Sequence, residues 1–103
     1  MRRAMAYDPG ALNSALAAAV GDDPALIAEL RGAFIESAQK QADLLVRARC
    51  DANWEMAAWR LKGLAASFGA LRLMEAADAA AQAAPGDPVA VRRVNSAISS
   101  FDR

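Results

Sequence analysis

The densest grouping of chemically equipped side chains lies in eleven residues, Trp59-Arg60-Leu61-Lys62-Gly63-Leu64-Ala65-Ala66-Ser67-Phe68-Gly69. On a helix, residues three and four apart are neighbours. Trp59, Lys62, Gly63 and Ala66 therefore share one face, with Arg60 at its margin. An aromatic and a cation beside two residues with almost no side chain suit the docking of another surface. They do not suit bond making. The chain has no histidine, and an indole nitrogen only donates, its lone pair being held in the ring. Ser67 lies two turns from Trp59 and has no partner base. One cysteine, Cys50, and scattered carboxylates offer no metal-ligand cluster, and no glycine-rich phosphate loop is present. Asp22-Asp23 reads as a helix start, where negative charge is favoured, and Arg92-Arg93 as a solvated face. The expectation is a binding protein, with no catalytic residue, no cofactor and no metal.

Composition narrows the elements that must position this face. At 103 residues the chain is one domain, long enough to bury its own core. The hydrophobic fraction is 55%, half of it alanine, whereas aromatics make up 6% and threonine is absent. Alanine is the best helix former and strand-favouring residues are sparse, so the expected class is all-α. Twelve basic and twelve acidic residues cancel, leaving no basic stripe for nucleic acid. The single cysteine excludes an internal disulfide and fits a reducing cytoplasm. Met1-Arg2-Arg3 has the charge of a signal peptide start, but Tyr7-Asp8-Pro9-Gly10 and Asn13-Ser14 break any apolar run after it. No run approaches the ~20 apolar residues of a membrane span. A cytoplasmic protein is expected.

Turn and cap residues divide the chain. Asp8-Pro9 opens a short helix ending near Val20, with Gly21 as its stop. Asp22-Asp23-Pro24 opens a long one to about Arg49, with Ile27, Leu30, Phe34, Ala38, Leu45 and Ala48 along its apolar face. Asp51 caps a third, in which Trp54, Ala58, Leu61, Ala65 and Phe68 step by four, three, four and three to form a core-facing seam. Gly69 ends it. A fourth covers about Ala70 to Ala83 through Leu73, Ala76 or Ala77, and Ala80. Pro85-Gly86-Asp87-Pro88 is a turn, after which Val91, Val94, Ile98 and Phe101 line a last helix. Short turns between helices favour antiparallel neighbours. The predicted architecture is an up-down-up-down four-helix bundle with a short N-terminal cap helix.

The segment from Trp59 to Gly69, followed by Ala70, resembles the signature of the histidine-containing phosphotransfer (HPt) family, roughly His-x-Leu-Lys-Gly-x-x-x-x-x-Gly-Ala. Gly21-Asp22-Asp23-Pro24-Ala25-Leu26 with Leu30 and Phe34 resembles that family's first long helix, and Arg49-Cys50-Asp51 its approach to the second. The likeness spans roughly Leu12 to Phe101. It implies the four-helix bundle and a place in two-component phosphorelay signalling, with a response-regulator receiver domain or a sensor histidine kinase as partner. Residue by residue, Lys62 matches the lysine whose charge offsets the phosphoryl group, and Gly63 and Gly69 match the two glycines. Trp59 stands where the phosphoacceptor histidine belongs. The family's relay chemistry is thereby excluded, and what the resemblance leaves is docking without phosphotransfer.

Two readings stay open for each key residue of the face. Gly63 costs about 1 kcal/mol against alanine in a helix, so it serves either close packing between helices or a floor on which a partner rests. Trp59 is either a ring tucked against the next helix or an exposed interface anchor with a basic rim from Arg60 and Lys62. Such a rim complements the acidic pocket that the resemblance assigns to a receiver domain. The alternative function is a structural or oligomerisation module, with Trp59 in a homodimer contact. A monomer or weak homodimer is expected. Trp54 sits on the seam and belongs to the core.

Overall fold

The computed structural model describes residues 9–21 and 23–102. Among them every regular element is helical: α1 (Pro9–Val20), α2 (Pro24–Arg47), α3 (Asp51–Ser67), α4 (Leu71–Ala81) and α5 (Pro88–Ser99), with a 3-10 turn over Ser100–Asp102. The proposed caps Asp8 and Asp22, and the Met1-Arg2-Arg3 start, lie outside the described residues.

Local chemistry accounts for the helix starts. The Asp23 carboxylate accepts from the backbone N–H groups of Ala25 and Leu26 at 3.1 and 3.3 Å, and Asp87 accepts from Val89 N–H at 3.2 Å. Each precedes a proline, whose fixed φ and missing N–H suit the first helical turn. At α3 the cap position falls on Cys50 rather than on Asp51. Cys50 has extended backbone and makes no side-chain cap bond, while Asp51 becomes the first helical residue. Its carboxylate still sits favourably at the positive end of the helix dipole. α2 stops at Arg47 instead of Arg49 because Ala48 turns extended (ψ 133°). α4 is shorter than expected at both ends. Gly69 holds φ +68°, a left-handed conformation open to glycine, and breaks the chain between α3 and α4. At the far end Gln82 is the cap, and Pro85 disfavours helical backbone in the residue before it.

The seams close as their spacing requires. Trp54, Ala58, Leu61 and Ala65 of α3 are buried, and Phe68 is half-buried against them. They meet Phe34, Ala38 and Leu45 of α2, Leu73, Ala77 and Ala80 of α4, and Val94 and Ile98 of α5. Ile35 and Ala42 of α2 and Ala90 and Ala97 of α5 join this core as well. Phe34 meets Phe68 and Phe101 edge-on, with ring centroids 4.9 and 5.6 Å away, the geometry that ring quadrupoles favour. Arg31 donates from Nη2 to the Phe101 carbonyl and ties α2 to the end of α5. In sequence order α2 packs on α3, α3 on α4 and α4 on α5, and α5 returns to α2. α1 adds Leu12 and Leu16 to the core and packs on α2. No helix among the described residues is long and apolar enough to cross a membrane.

The two tryptophans divide the work of α3. Trp54 is 1% exposed and donates its indole N–H to the Ala80 carbonyl at 2.6 Å. That carbonyl lies in the last turn of α4, where intrahelical partners run out. A large ring and one buried hydrogen bond thus lock α3 to α4 at the level where the exposed face begins.

Candidate functional site

The seam orients the face. Because Ala58 and Leu61 point inward, Trp59, one residue on from Ala58, is turned about 100° away. Its ring is 56% exposed. The tucked-in reading of Trp59 is therefore excluded. Gly63 is exposed too, and a Cβ added there would meet no heavy atom within 4 Å. Close packing inside the chain does not account for this glycine. Ala66, one turn further, is also exposed. Trp59, Lys62, Gly63 and Ala66 do form one continuous strip.

The basic rim differs from expectation. Lys62 leans towards α4, where its Nζ lies 2.9 Å from Asp78 Oδ1. The same ammonium stands 4.9 Å from the centroid of the Trp59 ring. A partly exposed ion pair contributes about 0–1 kcal/mol, and an exposed cation–π contact about 0.5–1 kcal/mol. Neither accounts for much stability. Together they hold Lys62 and the indole ring to one arrangement, so the charge that the resemblance would offer to a phosphoryl group is already matched by Asp78. Arg60 lies on the other flank of Trp59 and has no ion-pair partner among the described residues. The rim is thus one paired lysine and one unpaired arginine on opposite sides of the aromatic ring.

Two residues extend the face beyond the sequence reading. Met56, one turn before Trp59, is 49% exposed, and Leu44 on α2 is 45% exposed. With Arg47, Asn53 and Arg60 they line a cleft of about 290 Å³ between α2 and α3. Met56 could have been found from its three-residue step to Trp59. Leu44 depends on how α2 crosses α3, and no local pattern reveals that. The Ser67 hydroxyl donates to the Gly63 carbonyl one turn back at 3.0 Å. Among the described residues no group of three His, Cys, Asp or Glu side chains gathers to hold a metal ion.

The exposed strip offers apolar surface that a second molecule could cover. A tryptophan presents about 150–250 Å² of surface. Covering the exposed half of Trp59 is worth about 2–3 kcal/mol at roughly 25 cal/mol per Å². Gly63 and Ala66 keep the ground beside it flat, so a partner's backbone can approach.

Gly63 gives a direct check through stability. Gly63→Ala is expected to raise the unfolding free energy by about 0.5–1 kcal/mol in urea titration, because the new methyl meets open space. Gly32 of α2 is equally exposed and equally open, so Gly32→Ala is expected to do the same. The two variants should part company in binding, where only Gly63→Ala weakens a partner that rests on this strip. A stability loss at Gly63 would show that the glycine serves the fold after all. No family model, curated protein or solved structure matches the chain.

Proposed function

We propose that this chain is an HPt-like docking domain of a two-component phosphorelay, which binds a receiver domain or a sensor histidine kinase in the cytoplasm without carrying a phosphoryl group. In this reading α2 to α5 form an up-down-up-down four-helix bundle, with α1 as a cap. The cyclic packing order and the short connections support that arrangement. The observation that carries the functional reading is the Trp59 ring, left 56% exposed in the middle of the helix that supplies the core's largest buried side chain. Large aromatic side chains set among small residues are the usual anchors of protein interfaces. Trp59 cannot accept a phosphoryl group, and the chain has no histidine that could replace it.

The partner is held by apolar contact on Trp59 and Met56, and Arg60 faces the acidic pocket of a receiver. Occupying that pocket denies it to phosphorylated donors, so the domain acts as a competitor or an adaptor. The test mixes the chain with receiver domains from the same genome, one of them carrying labelled phosphate, and follows the complex by sedimentation. The expected result is a complex with at least one receiver and no stable label on this chain. Label retained on this chain overturns the reading. So does a tight homodimer that covers Trp59 and excludes every receiver, which would assign the face to oligomerisation.

A further inference from the structure

Arginine gathers on a second face, remote from the strip on α3. Arg72, Glu75 and Ala76 of α4 and Arg92, Arg93 and Ser96 of α5 line one cleft of about 340 Å³. Arg92 and Arg93 bring two guanidinium groups to this cleft, on a chain whose net charge is zero. The spacing is built into the helices. Arg92 and Arg93 stand four and three residues before Ser96, so all three side chains share a face of α5. Arg72 likewise stands three and four residues before Glu75 and Ala76 on α4.

The polar atoms are arranged as donors. Arg72 Nη2 donates to Ser96 Oγ at 3.5 Å, which leaves the serine proton free to point into the cleft. Arg92 and Arg93 are exposed, and neither has an ion-pair partner among the described residues. Guanidinium groups present paired N–H donors in a planar fork that matches phosphate oxygens. The adjacent guanidinium groups of Arg92 and Arg93 on α5 repel one another, and an anion between them removes that repulsion. Glu75 accepts only, so it sets one edge of the cleft against a ligand's anionic end and towards any hydroxyl or amine the ligand carries.

We propose that the α4–α5 cleft binds a small molecule bearing a phosphate group, with Arg92 and Arg93 contacting its oxygens and Arg72 orienting Ser96 to donate a further bond. The site is independent of the docking face, because its residues lie on the α5 side of α4 whereas Asp78 and Lys62 meet on the α3 side. The ligand's phosphate is held and not transferred, since no residue of the cleft is a competent nucleophile.

The experiment titrates the intact chain with pyrophosphate in 150 mM sodium chloride, on the order of physiological ionic strength, following backbone amide shifts by NMR. The expected result is saturable movement confined to residues around Arg72, Arg92, Arg93 and Ser96. Arg92→Ala combined with Arg93→Ala should weaken binding at least tenfold, and both positions are exposed, so the fold is retained. Arg47→Ala combined with Arg60→Ala removes two cations from the α2–α3 cleft and should leave pyrophosphate binding unchanged. An equal loss in both double variants, or shifts spread over every arginine without saturation, overturns the proposal and reduces the cleft to ordinary surface charge.

Discussion

Trp54→Ala is expected to remove about 4 kcal/mol of stability, the range found when a fully buried aromatic is cut back to alanine. Single domains of this size hold roughly 5–15 kcal/mol in total, so the variant stands near the threshold of folding. Two losses combine. The ring is 1% exposed and fills the centre of the core between α3 and α4. Its N–H also supplies a bond to the Ala80 carbonyl at 2.6 Å. Trp54→Phe separates them. It keeps most of the ring, and the Ala80 carbonyl still accepts from Ala83 N–H at 3.0 Å, so its cost should stay within about half of the alanine value. Urea unfolding followed by circular dichroism measures both. An alanine variant within 1 kcal/mol of the wild type would contradict the central place given to Trp54.

Trp59→Ala is expected to do the opposite. Its ring stands mostly in water, and losing it removes little beyond the cation–π contact with Lys62, so stability should fall by about 1 kcal/mol or less. Binding to a receiver should fall about thirtyfold or more, the effect of losing 2 kcal/mol from an anchoring aromatic. Calorimetric titration of the variant against the receiver that binds the wild type decides it. Unchanged affinity would remove Trp59 from the interface and, with it, the reason for assigning the face to docking. The Lys62–Asp78 pair gives the intermediate case. Asp78→Ala leaves the ring in place and releases the lysine, so its effect on affinity should be far smaller than that of Trp59→Ala.

The α3 seam was legible because its period is local. Trp54, Ala58, Leu61 and Ala65 repeat at helical steps whatever else the chain does, and all four are buried. The starts of α2 and α5 were legible for a related reason, since an aspartate before a proline carries its own capping chemistry. Helix ends were less so. In stretches such as Ala79 to Ala84 nearly every residue favours a helix, so the stopping point follows from Pro85 and from packing rather than from composition. At the site, the membership of Trp59, Lys62, Gly63 and Ala66 in one strip followed from spacing alone. The ion pair that takes up Lys62 did not. Asp78 lies sixteen residues away on another helix, and only the crossing of α3 and α4 brings the two together. The same limit hid Leu44 from the α2–α3 cleft.

The separation of the two tryptophans also furnishes an optical instrument. Trp54 sits in a dry environment with its N–H fixed to a carbonyl, and Trp59 stands in water under an ammonium group. Indole emission moves to shorter wavelength as its surroundings lose water, so the two rings emit in different parts of the spectrum. Unfolding shifts the Trp54 band to the red, whereas a partner settling on α3 shifts the Trp59 band to the blue. Collisional quenchers reach the second ring and not the first. One unlabelled sample can therefore report folding and docking at once, through signals of opposite sign.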